Sequence, residues 1–160
     1  MKIAFASAFA AFVLMNLAAC GTDVPAGLAD KVNSGCPGLL KPEPVAVITK
    51  GHEVSQVASE VAGSCKVSVR DGRDVLSVGV VEYQSPEQAE DLVPKLCPSG
   101  VLEADKWCTA SSPGSETYEV HGVAGRREVR VKVYELPVND EVKDAVRQII
   151  TDLRNSDKTK

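Results

Sequence analysis

Four cysteines downstream of the N-terminus, Cys36, Cys65, Cys97 and Cys108, constrain the fold more than any other feature of this chain. Whether they bind each other or a metal is set by compartment and spacing. The chain opens with Met1-Lys2 and runs from Ile3 to Leu14 through apolar residues interrupted only by Ser7. Small residues, Ala18 and Ala19, follow shortly after. A basic start, an apolar stretch and small residues at its end are the parts of a secretory signal. An exported chain enters an oxidising environment, where an even set of thiols pairs off. Zinc sites and catalytic dithiols favour C-x-x-C, and no two of these cysteines are so spaced. Two disulfides are therefore expected, with no metal and no cofactor. Three connectivities are open. Pairing sequence neighbours, Cys36–Cys65 and Cys97–Cys108, is the simplest closure, and Pro98 and Gly100 permit a tight return in the second loop.

The end of the apolar stretch, Leu17-Ala18-Ala19-Cys20, resembles the lipobox of bacterial lipoproteins. That resemblance implies a leader over residues 1–19, cleaved before Cys20, whose thiol carries a diacylglycerol. The chain is then a lipoprotein anchored on the extracytoplasmic face of the cell membrane. Residues 20–35, with Pro25, Gly27 and Gly35 among small and polar side chains, read as a tether. A single domain over 36–155 and a polar tail over 156–160 follow. The whole chain has 160 residues and a formal charge of −4, so it offers no electrostatic footprint for nucleic acid. Nor does its charge attract anionic lipid, which leaves the anchoring to the acyl chains. All three phenylalanines, Phe5, Phe9 and Phe12, lie in the leader. The aromatic residues after Cys20 are Tyr83, Trp107, Tyr118 and Tyr134, so the core must be built from Val, Leu, Ile and Ala.

Apolar periodicity places the elements. Pro42 and Pro44 oppose a regular helix across Leu39–Ile48 and leave a short helical turn from about Pro44 to Thr49. Glu53–Ala62 fits a helix by spacing and a strand by its valines. Val67 and Val69 alternate in Lys66–Arg70, Asp71-Gly72 is a hairpin turn, and Arg73–Tyr83 returns. Ser85, Pro86 and Gln88 open a helix that Pro94 ends. Thr117–Val120 is a strand that turns through His121–Gly125. Glu128–Glu135 is the clearest strand, with Val129, Val131 and Val133 on one face and Arg130, Lys132 and Tyr134 on the other. Asn139 then caps a helix with Val142, Ala145, Val146, Ile149 and Leu153 along one side. Hairpin then helix occurs twice. The expected fold is α+β, an antiparallel sheet of two hairpin–helix units with the helices packed on one face.

Cys36-x-x-Leu39-Leu40, a strand opened by Cys65, the hairpin–helix units and Val120-His121-Gly122-Val123-Ala124 before the last long strand resemble the small disulfide-containing lipoproteins of actinobacteria. That group, many of whose members have no assigned function, implies no catalytic residues.

Candidate chemistry is sparse. His52-Glu53 begins like H-E-x-x-H, but Gln56 stands where the second histidine belongs. His121 reads as a solvated turn residue. Glu87, Glu90 and Asp91, like Asp140, Glu141 and Asp144, are acidic residues at helix starts, where the helix dipole favours them. Trp107, beside Cys108, is expected over the disulfide or on a recognition surface with Tyr83 and Tyr134. The leading expectation is a non-enzymatic binding module of the envelope, with an envelope protein, glycan or lipid as partner. The alternatives are a carrier of a small or lipidic ligand between sheet and helices, a hydrolase using paired carboxylates, and a phage-type exclusion lipoprotein.

Overall fold

A computed structural model describes residues 23–112 and 114–157. Cys20 and the expected leader lie outside the described residues, as do residues 158–160 of the expected tail. The elements run α1 (Leu28–Gly35), α2 (Pro42–Ile48), β1 (Val54–Ala58), β2 (Ser64–Val69), β3 (Asp74–Glu82), α3 (Pro86–Leu92), a 3-10 turn (Val93–Leu96), β4 (Trp107–Thr109), β5 (Thr117–Ala124), β6 (Arg127–Tyr134) and α4 (Asp140–Asp157). The six strands form one antiparallel sheet in the order β1-β2-β3-β6-β5-β4. The class is α+β, as expected. The hairpin β2–β3 leads into α3 and the hairpin β5–β6 into α4. Each hairpin gains an outer strand, β1 or β4, and the two three-stranded units meet at β3 and β6.

Local chemistry accounts for the boundaries. Gly72, at φ 84°, turns β2 into β3 in a conformation that costs a glycine little. The Ser85 hydroxyl accepts from the Gln88 amide, and the Gln88 side chain accepts from the Gln84 amide, which together start α3. Asn139 Oδ1 caps α4 by accepting from the Val142 amide at 2.9 Å. The helix α2 begins earlier than expected, at Pro42. Pro42 and Pro44 both fall in its first turn, where a missing N–H breaks no helical bond.

The region left open between helix and strand is β1, at the sheet edge. Lys31 of α1 donates to the Val54 carbonyl of that strand, and Gly35 sits so close to the Val57 carbonyl that any Cβ would collide with it. The expected tether is accordingly shorter. Leu28 and Val32 are buried in the main core, so the packed domain begins near Leu28 rather than at Cys36.

Alternation along the strands separates two faces. The inner face carries Val67, Leu76, Val78, Val120, Val129, Val131 and Val133. Val146, Ile149 and Ile150 of α4 cover it, with α1 and α2 completing the same core. Gly122 of β5 lets α4 approach, since a Cβ there would strike Ile150. The helix α3 and the 3-10 turn sit apart from the others. Ala89 and Val93 pack on Val123, whose position next to Gly122 places it on the outer face. The disulfides are Cys36–Cys65, joining α1 to β2, and Cys97–Cys108, joining the end of the 3-10 turn to β4. Of the expected tail, Ser156 and Asp157 continue α4.

Candidate functional site

The outer face of the sheet gathers most of the chemistry-bearing side chains. It takes Ser64, Lys66 and Ser68 from β2, Ser77 and Gly79 from β3, Glu128, Arg130, Lys132 and Tyr134 from β6, and Glu119 and His121 from β5. The α3 segment and the Cys97–Cys108 bridge cover one end of this face. Among the described residues, no helix covers the remainder.

Under the covered end lies a buried polar cluster. His121 is 4% exposed and Glu128 2%. His121 Nδ1 is 2.7 Å from Glu128 Oε1, and its Nε2 is 3.1 Å from Glu119 Oε1. The Tyr83 hydroxyl donates to Glu128 Oε2 at 3.1 Å, and Arg130 donates to Glu128 Oε1 at 3.2 Å. Burial pushes the Glu128 carboxyl up. The His121 hydrogen bond, the charges of Arg130 and His121 and the Tyr83 bond outweigh it and hold the group below the usual glutamate value. The Tyr83 hydroxyl moves the other way, raised by burial and then by the charge and hydrogen bond of Glu128.

His121 is thus not the solvated turn residue that its lone position suggests. The strand β5 runs on to Ala124, the reversal falls at Gly125, and His121 pairs with Cys108 of β4. The Cys97–Cys108 bridge ties that strand to the 3-10 turn. Both ring nitrogens of His121 are engaged by carboxylates, and the ring is buried. Among the described residues, no group of three or more His, Cys, Asp or Glu side chains converges to hold a metal.

This remainder presents a mixed-charge surface on the four strands β2, β3, β6 and β5. Lys132 Nζ lies 3.2 Å from Glu119 Oε2, and Arg130 Nε 3.7 Å from Glu119 Oε1. Lys66 reaches Glu60 at 2.9 Å and Asp74 at 3.6 Å. Between these cations, the Ser77 and Tyr134 hydroxyls share a hydrogen bond at 3.0 Å. A Cβ built on Gly79 would meet nothing within 4 Å, so the surface is open above that strand. No family model matches this chain, and no curated protein matches it.

Two of the three expected surface aromatics are found here. Tyr134 lies on the open area, and Tyr83 pins the covered end. Trp107 is elsewhere, and it does not stack on the disulfide. Its register with Gly122 puts it on the inner face, while its neighbour Cys108 points outward. The Arg147 guanidinium of α4 lies 4.7 Å from the Trp107 ring centroid instead. His52 sits in the exposed turn before β1. The acidic groups of the helices face cations rather than one another: Glu90 meets Lys106, Asp91 meets Lys95, Asp140 meets Lys143, and Asp144 meets Arg147. The sequence marked Arg130, Lys132 and Tyr134 as a wet strand face. It gave no sign that Ser77 and Lys66 would join them, since strand order is not written in periodicity.

Three concavities lie off this face. One, of about 700 Å³, runs between α2 and α4 over Pro44, Val47 and Ala145. A second is bounded by Tyr118, Leu136 and Val138, and a third by His52 and Arg70. Among the described residues, no helix is long and apolar enough to cross a membrane.

Proposed function

We propose that this protein is a lipid-anchored, non-enzymatic binding module of the cell envelope. Cys20 holds it at the extracytoplasmic face of the membrane, and the outer face of its sheet engages a protein partner. The observation that carries this reading is the uncovered area around Ser77, Arg130, Lys132 and Tyr134. These side chains stand on central strands fixed by ladders on both sides. Arg and Tyr are the residue types that dominate binding energy at protein interfaces. A flat surface with both signs of charge suits a folded protein of complementary charge better than a small ligand, which prefers an enclosed cleft. The inner face supports the same choice over a carrier. Leu76, Ile149, Ile150, Val129 and Val131 are each no more than 1% exposed there and fill the space between sheet and helix.

Photo-crosslinking in living cells tests this. A photoreactive residue in place of Ser77 in the full chain should yield one adduct of discrete mass. The charge reversal Lys66→Glu in the same chain, at the strand position paired with Ser77 and outside the buried cluster, should abolish it. No adduct, or an adduct indifferent to Lys66→Glu, overturns the proposal.

A further inference from the structure

We infer that the α2–α4 side of the domain is the side that rests against the lipid surface, and that the outer sheet face is turned away from it. This rests on the reading of Cys20 as the lipid-bearing residue. Asp23 is the first described residue, and it lines the concavity between α2 and α4 together with Glu43, Lys50, Asp144 and Gln148. Three peptide units separate Cys20 from Asp23. Fully extended, they reach about 10 Å. The outer sheet face lies beyond one helix layer and then the sheet itself, and each packed layer is about 10 Å thick. So short a leash holds the helix side near the headgroups. It does not reach around the domain to bring Lys66 or Lys132 there.

The chemistry of that side indicates the kind of contact. Its floor is small and apolar, formed by Pro44, Ala46, Val47 and Ala145. Its rim is net acidic: Asp23, Glu43, Glu141 and Asp144 outnumber the two cations beside them, Lys50 at 3.7 Å from Glu141 and Arg147 at 2.7 Å from Asp144. Such a rim is repelled by anionic headgroups over about a Debye length, roughly 8 Å in physiological salt. The domain therefore lies on the surface without inserting, and rests closer on zwitterionic lipid than on anionic lipid. The partner-binding face is presented outward in either case.

The test uses the full chain, lipidated at Cys20, in phosphatidylcholine vesicles carrying a headgroup nitroxide. A fluorescent amino acid replaces Gln148 in one variant and Lys66 in another. Quenching at Gln148 should exceed quenching at Lys66 several-fold, and added phosphatidylglycerol should reduce it at low salt. Equal quenching, or stronger quenching at Lys66, overturns the inference. Probes in place of Glu43 and Ser68 give the same comparison should either first variant fail to fold. A mass spectrum of the same samples separates the two readings. A chain without diacylglycerol on Cys20 removes the anchor and the orientation together, whereas a lipidated chain quenched equally on both sides removes the orientation alone.

Discussion

His121 and Glu128 are diagonal neighbours on adjacent strands, and His121 Nδ1 and Glu128 Oε1 are 2.7 Å apart beneath the α3 segment. Both are almost fully buried on the face of the sheet that is otherwise wet. Removing His121 leaves Glu128 with Arg130 and the Tyr83 hydroxyl, and removing Glu128 leaves His121 with Glu119, so each single loss leaves a buried group short of one partner. His121→Leu should cost about 1–3 kcal/mol, the usual result of leaving a buried polar group short of a hydrogen-bond partner. Replacing both, as His121→Leu with Glu128→Leu, should recover most of that loss. Urea midpoints of the soluble domain measure the coupling, and additive single effects would show that the pair is not coupled.

The position of Glu128 also sets a pH dependence. Its carboxyl titrates below the ordinary value of 4.5 in the folded protein. Its stabilisation is therefore fully present above pH 4.5 and is lost as the pH falls through the folded value. Glu128→Gln should flatten the acid limb of the stability curve while lowering its neutral plateau. Asp71 is held low by Arg73, and Glu87 by its own backbone amide and Ser85. Both are open to water, so Asp71→Asn and Glu87→Gln should leave the acid limb nearly unchanged.

The two disulfides should differ in weight. Cys36–Cys65 spans a sequence separation of 29 and lies in the main core, whereas Cys97–Cys108 spans 11. Loop-closure entropy alone favours the longer loop, at about 3.6 against about 2.8 kcal/mol. Replacing Cys36 and Cys65 together by alanine should lower the melting temperature more than replacing Cys97 and Cys108. The second pair of substitutions should instead expose His121, seen as faster exchange of the Gly122 and Val123 amides.

Two glycines should respond differently to alanine. At Gly122 the new methyl meets the Ile150 side chain, its Cγ2 foremost, so the loss of about 1–3 kcal/mol should shrink in an Ile150→Ala background. At Gly35 it meets the Val57 backbone carbonyl. No side-chain change relieves that contact, and melting temperatures of the paired variants should show rescue at the first site only.

Much of this architecture is legible in the chain because local chemistry decides it. The alternation of Val129, Val131 and Val133, the Asp71-Gly72 reversal and the caps at Ser85 and Asn139 each specify an element without reference to the rest. The observed disulfide pairing is the one that short closures favour among the three that the cysteine spacing leaves open. Other features depend on neighbours in space. The strand character of β1 comes from pairing with β2, which overrides a helical spacing of Val54, Val57, Ala58 and Val61. Burial of His121 comes from neighbours outside its own strand, Cys108 of β4 and Glu128 and Arg130 of β6. Trp107 is carried to the inner face by a register with Gly122, and its partner Arg147 is distant in sequence. The open face itself needs β3 beside β6, a crossover that periodicity does not announce.

The most direct measurement of the outer face as a binding surface is lysine footprinting on living cells, compared with the purified protein. Lys66 and Lys132 lie on that face, and Lys95 sits in the 3-10 turn with 61% of its side chain exposed. Lys66 and Lys132 should react more slowly on cells than in the purified protein, while Lys95 reacts equally in both. Equal reactivity of Lys66 and Lys132 in the two settings would contradict a partner on this face.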